Sequence, residues 1–232
     1  ILFLRIKFMT KLKLLFNALT KFFVGFILIS LLLFLPAGTF NYKNAWLFII
    51  LLFLPMFILG ILLFIKSPEL LEKRLDVKEK EKTQKGVVGF SAILFIASFL
   101  ISAFDFRFSW SNVPLWCVIF ASTVLLISYG MYAEVLRENI YLSRTIKVQE
   151  NQKVIDTGLY GIVRHPMYFS TVFLFLSIPV ILGSWWGLLC ISPYPFFIAI
   201  RIMNEEKVLE ENLDGYKEYK QKVKYRLIPF VW

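Results

Sequence analysis

The chain contains a single histidine, His165, and two cysteines, Cys117 and Cys190. One imidazole cannot build a three- or four-ligand metal centre unless carboxylates supply the rest, and no HExxH or CxxC spacing occurs, so no metal is expected. The cysteines lie far apart, each inside an apolar run without ligand-like neighbours, which assigns them to packing and not to a disulfide. No glycine-rich dinucleotide or phosphate loop and no GxSxG elbow is present, which removes the common nucleotide-fold and serine hydrolase chemistries. Internal repeats and low-complexity linkers are also missing, so the 232 residues read as one domain. Acids are scarce beside bases, with 16 Asp and Glu against 26 Lys and Arg.

What the chain has in abundance is apolar and aromatic surface. At 58% hydrophobic residues, 18% aromatic and a mean hydropathy of +0.69, it is too apolar for a soluble globule. The composition predicts an all-α, multi-pass transmembrane helical bundle. Six apolar segments are expected at 22–38, 45–65, 87–104, 114–133, 166–183 and 186–203, each near the ~20 residues that cross ~30 Å of hydrocarbon. The last two are short and joined by Gly183-Ser184, which predicts a helical hairpin. Pro36-Ala37-Gly38 closes the first segment, and Pro55 sits inside the second, where neighbouring groups can satisfy the freed carbonyl. Trp46, Trp110, Trp116 and the Trp185-Trp186 pair stand near segment ends, as an interfacial aromatic belt requires. Residues 1–8, which precede Met9 and the Lys11/Lys13 pair, are expected to be an upstream extension or a fragment edge.

Six crossings put the N-terminal tail, the 66–86 and 134–165 loops and the C-terminal tail on one side. That side receives 24 of the 26 Lys and Arg, and the other only Lys43 and Arg107. The asymmetry predicts that both termini and both long loops are cytoplasmic. It also accounts for the net charge of +10 without nucleic acid, because basic juxtamembrane segments meet anionic lipid headgroups. Within 66–86, Ser67-Pro68-Glu69 marks a helix start, and the alternating charges that follow suit a solvated surface helix. The tail interleaves Tyr216, Tyr219 and Tyr225 with lysines. Beside a membrane, that pattern predicts an amphipathic C-terminal helix in the headgroup layer, in place to fold back over the His165 loop.

Two clusters carry chemistry. The first is GLYGIVRHPMY, residues 158–168, where Arg164 and His165 precede Pro166 at the start of an apolar segment. Proline suits the first position of a helix, and a helix N-terminus with a cation beside it favours an anionic ligand. The run 148–155 before it reads as extended or irregular. The second cluster is RIMNEEKVLEE, in which Arg201 and Glu205 share a helix face and either pair with each other or line a polar cavity. Glu206, about 100° further round, is expected to be solvated.

Taken in order, GLYGIVRHPMY, a hydrophobic hairpin, Arg201, Glu205-Glu206, and Tyr216/Tyr219 followed by LIP resemble the isoprenylcysteine carboxyl methyltransferase and phospholipid methyltransferase superfamily. The resemblance covers residues 149–229. The four N-terminal transmembrane segments (1–133) match only in being membrane helices; the resemblance implies that they are followed by a cofactor-binding core (134–232) that uses S-adenosylmethionine without a Rossmann domain. It further implies that Gln149, Val154, Ile155, Tyr160, His165, Tyr168 and Glu205 form the cofactor pocket, and that Arg201 stands by the acceptor and the transferred methyl. The acceptor would be a lipophilic molecule reached from the lipid bilayer: a carboxylate needs only orientation, whereas an amine or thiol needs deprotonation, with Glu205, Glu206 or a tyrosine as candidates. Two other readings remain. Membrane sterol reductases carry a related C-terminal region and use NADPH, but in longer chains with more spans. A transporter or scaffold would spread charge through several spans, whereas the centres of the first four segments here are almost free of it.

Overall fold

The computed structural model describes residues 2–76, 82–142 and 148–232, and all regular structure among them is helical. In chain order the helices are α1 (Leu2–Ala37), α2 (Lys43–Lys66), α3 (Pro68–Leu75), α4 (Lys82–Phe108), α5 (Leu115–Glu138), α6 (Pro166–Ile181), α7 (Trp185–Ile191), α8 (Tyr194–Asn212) and α9 (Tyr216–Lys222), with a 3-10 turn at Gly158–Gly161. Five stretches are long and apolar enough to cross a membrane: Lys11–Ala37, Lys43–Lys66, Lys85–Phe108, Leu115–Glu138 and Trp185–Asn212.

The elements differ from the expected segments in three places. α1 begins well before residue 22, whereas α2 runs through Pro55 as expected. α6, with 16 residues, is about 24 Å long at 1.5 Å per residue and falls short of a full crossing. The expected segment 186–203 is interrupted between α7 and α8 at Ser192-Pro193, where the proline has no N–H to donate back into α7, although both residues keep helical backbone angles. The surface helix expected in 66–86 is present as α3, whose first turn starts at Pro68 after Ser67. Its mixed-charge continuation over 77–81 lies outside the described residues.

The chain alternates direction, so the ends of α1, α4 and α6 and the starts of α2 and α7 meet at one end of the bundle. There the buried Asp105 of α4 accepts hydrogen bonds from Ser184 Oγ (2.5 Å), Ser111 Oγ (2.6 Å) and Ser111 N (2.7 Å). Tyr42 stacks on Phe106, and its hydroxyl donates to the Leu182 carbonyl at 2.6 Å. These bonds satisfy polar groups where lipid offers no partner, and they tie the α6–α7 turn to α2 and α4. Close packing adds to them. Ser98 Oγ donates to the Gly187 carbonyl at 3.0 Å, and a Cβ on Gly187 would stand 2.2 Å from Ser102 Oγ, the small-residue contact by which membrane helices approach each other. Leu33, Phe48, Leu125, Ile178 and Ile181 are among the buried side chains that fill the space between α1, α2, α5 and α6. α6 and α7 are anchored in this way, and Tyr194 and Ile198 of α8 share a buried cluster with Tyr168 and Val172 of α6, so the start of α6 and the far end of α8 are held at fixed separation. The candidate site lies between those ends.

Candidate active site

Pro166 is the first residue of α6, and His165 is its N-cap residue. The backbone just before it pairs with the C-terminal tail: Arg164 N donates to Tyr225 O and His165 N to Arg226 O, both at 2.9 Å. The Arg164 guanidinium is buried. Its Nη1 donates to the carbonyls of Val223 (2.7 Å) and Lys224 (2.8 Å), and its Nε donates to Glu206 Oε1 at 2.7 Å. The tail thus folds back over the His165 loop.

Glu206 is not solvated. It is 3% exposed and takes Arg164 and His165 Nε2 (3.2 Å) on Oε1, with Arg226 Nε (2.9 Å) on Oε2. Sequence spacing around α8 separates Glu206 from Glu205 correctly, but only the returning tail determines that this second face is covered. A carboxylate and guanidinium so enclosed are held by mutual charge and directed hydrogen bonds.

On the adjacent face, Arg201 Nε donates to the Tyr168 hydroxyl at 2.8 Å, and that hydroxyl donates to Glu205 Oε2 at 2.5 Å. The Arg201 and Glu205 expected to share a face are therefore joined through a tyrosine from α6. The guanidinium also lies 5.9 Å from the Tyr168 ring centre, within cation–π range.

The third wall comes from the 3-10 turn and α9. The Tyr160 hydroxyl accepts from Asn139 Nδ2 at 2.9 Å, and its carbonyl accepts from the Tyr219 hydroxyl at 2.8 Å. Tyr216 and Tyr219 are buried against Val148, Val154, Leu209 and Leu213, facing the protein rather than the headgroup layer. Burial pushes the hydroxyls of Tyr160, Tyr216 and Tyr219 well above the usual phenol range, so all three stay protonated as hydrogen-bond donors or acceptors. On the outer side Lys222 bonds Asp156 at 2.6 Å and holds its carboxyl below the usual carboxylate range. That contact straps α9 to the irregular run before the 3-10 turn.

Together these elements enclose a cleft lined by Val154, Ile155, Tyr160, His165, Tyr168, Arg201 and Glu205, all expected at the site from sequence. Gln149 stands apart from the lining. Its Nε2 bonds the Tyr141 carbonyl and its N–H donates to Gln152 Oε1 at 2.9 Å, so Gln152 occupies the lining instead. Sequence reasoning missed Asn139, Tyr216 and Tyr219 as cleft residues, and Arg74 as a neighbour of the site. Arg74 of α3 donates to the Tyr132 hydroxyl and lies 3.8 Å from the sulfur of Met167, which lines the cleft. An arginine within the alternating charges of 66–86 was the available signal. Among the described residues, no cluster of His, Cys, Asp and Glu is arranged to hold a metal.

Gly158 sets the entry to this wall. Its φ of +53° is left-handed, and a Cβ there would lie 1.4 Å from Glu138 Oε1, whose partner oxygen accepts from Leu159 N at 3.1 Å. Gly158→Ala must strain the backbone or expel Glu138, at a cost of about 1–3 kcal/mol. Thermal unfolding is expected at lower temperature, with ligand binding in the cleft weakened at least tenfold because Tyr160 is two residues away; unchanged binding would show that the turn tolerates displacement.

Residues 115–214 match the family model described as phospholipid methyltransferase, a family of the isoprenylcysteine carboxyl methyltransferase-like superfamily. The matched segment runs from the first residue of α5 to just past α8. It contains Arg164, His165, Tyr168, Arg201, Glu205 and Glu206, while α1–α4 and α9 lie outside it. No curated protein gives a match. Segment 115–214 thus carries the pattern of a methyltransferase family, in a chain whose helices include five stretches apolar enough to span a bilayer.

Proposed function

We propose, with that family match as premise, that the protein transfers a methyl group from S-adenosylmethionine to a lipophilic acceptor at the cytoplasmic face of a membrane. The observation that carries the reading is the convergence of family-matched and tail residues on one cleft, with buried Arg201 joined to Glu205 through Tyr168. The residues fit such a cofactor. An apolar wall of Val154, Leu209 and Leu213 suits a purine and ribose, a carboxylate suits a sulfonium or amino group, and the buried Tyr216 hydroxyl lacks a partner among the described residues. Bound there, the cofactor would supply a methyl group activated by its positively charged sulfur, which an acceptor lone pair could take by in-line displacement while the S–CH3 bonding electrons stay on sulfur.

The chain's own task is alignment and exclusion of water. Arg201 orients an anionic acceptor group by charge-assisted hydrogen bonds, and Tyr168 holds the Arg201 side chain in place. The tail segment 223–226, pinned to Arg164 and His165, closes the cleft on its inner side. In this reading residues 134–232 form the cofactor-binding core, α6 with α7–α8 forms a membrane hairpin, and both termini are cytoplasmic, as the basic residues require. An apolar acceptor enters from the lipid.

Calorimetric titration of the detergent-purified protein with S-adenosylmethionine and, separately, NADPH tests the reading, with His165→Ala as control. Binding of S-adenosylmethionine alone, lost in the variant, is expected. Binding of NADPH alone would place the protein among reductases, and binding of neither by folded protein would favour a transporter or scaffold.

A further inference from the structure

The Tyr216 hydroxyl is an anomaly in an otherwise satisfied site. The residue is 4% exposed and lines the cleft, yet its hydroxyl has no hydrogen-bond partner among the described residues. Its neighbour Tyr219 donates to the Tyr160 carbonyl, and Tyr160 accepts from Asn139. A buried hydroxyl left unpaired costs about 1–3 kcal/mol, a penalty that a phenylalanine of nearly the same shape avoids. Such a group persists where a ligand supplies the partner.

The surroundings state what kind of partner. Burial and then the charges of Glu206 and Glu205 keep the hydroxyl protonated, so it is a donor. Arg164 opposes those carboxylates, and Glu206 is already held by Arg164, His165 and Arg226, so the charge around the hydroxyl is balanced and calls for no ionic partner. The wall beside Tyr216 is apolar: Val154, Leu209, Leu213 and the Tyr219 ring, 5.7 Å away centre to centre. A neutral acceptor on a flat, largely apolar group fits that corner, and a nucleoside offers it through a ring nitrogen or a ribose oxygen.

We infer that Tyr216, which lies outside the family-matched segment, is a nucleoside-binding residue of the cleft, donating its hydroxyl hydrogen to the adenosine portion of the cofactor. The inference rests on the function proposed above. It divides the cleft into two ends. The Tyr216 end holds the nucleoside, and the Arg201–Tyr168–Glu205 end holds the reacting centre.

The test is calorimetry and thermal unfolding of Tyr216→Phe beside the wild-type protein, with S-adenosylmethionine and S-adenosylhomocysteine as probes. Both carry the same nucleoside, but only the first has a charged sulfur. Tyr216→Phe is expected to weaken both ligands by the same factor, about tenfold, while the unliganded protein unfolds at an equal or higher temperature. Unaltered affinity would overturn the inference alone. A lower unfolding temperature in the unliganded variant would also overturn it, by giving the hydroxyl a structural role, as would weakening confined to S-adenosylmethionine, by placing Tyr216 at the sulfur. Failure of the wild-type protein to bind either probe would instead sink the proposed function.

Discussion

Glu206→Ala is expected to destabilise the protein by about 3–5 kcal/mol, the range for removing one partner of a buried ion pair. The cost comes from the groups left behind. Arg164 is buried with its Nε aimed at Glu206, and in the variant that donor faces a cavity lined by His165 and Arg226. The guanidinium groups of Arg164 and Arg226 then converge without the counter-charge between them. The tail at 223–226 keeps its backbone bonds to Arg164 and His165 only if Arg164 stays in place, so the tail and the cleft are expected to open together. Thermal unfolding in detergent, read beside proteolysis of the C-terminal tail, checks this. Glu205→Ala is the comparison: Glu205 is half-buried, meets Tyr168 and lines the cleft. It should lower activity while leaving the tail protected. Equal stability of the two variants would show that Glu206 does not organise the fold-back.

Arg201→Ala is expected to lower turnover by about 10²–10³-fold or more, the cost of deleting a preorganised electrostatic contact at a reacting centre, while S-adenosylmethionine binding changes little. Arg201 reaches the cleft about two turns of α8 before Leu209, which joins Val154, Leu213 and α9 in the apolar corner at Tyr216. Tyr168 can still donate to Glu205 in the variant, so the pocket wall persists. Single-turnover methyl transfer and calorimetry on the same preparation separate the two quantities. Simultaneous loss of binding and turnover would reassign Arg201 to the cofactor site or to folding.

Much of this site was legible because short-range pattern and local geometry coincide in it. Pro166 marks the start of α6 by its missing N–H, and the GLYGIVRHPMY run keeps Tyr160, His165 and Tyr168 within eight residues of one another. Arg201 and Glu205 share a face because four residues are about one helical turn. Gln149 failed the same test. It lies in irregular backbone, where position along the chain says little about direction, and its amide is turned to Tyr141 instead. The segment expected at 186–203 lies within the apolar stretch Trp185–Asn212, but mean apolarity does not register the local break between α7 and α8 at Pro193.

By itself, the sequence determined that this is a helical membrane protein, since transfer of apolar side chains to lipid and of charges to water depends on composition and order alone. It also determined which side chains are chemically capable. The tertiary structure decided which of them meet. Glu206 joins Arg164 across 42 positions, Tyr168 links to Glu205 across 37 and Tyr219 to Tyr160 across 59. No helical or strand periodicity reaches that far. These contacts form because the distal bonds to Asp105 and Tyr42 hold the α6–α7 turn while Tyr194 and Ile198 of α8 pack on α6, and because buried donors on the returning tail must find acceptors.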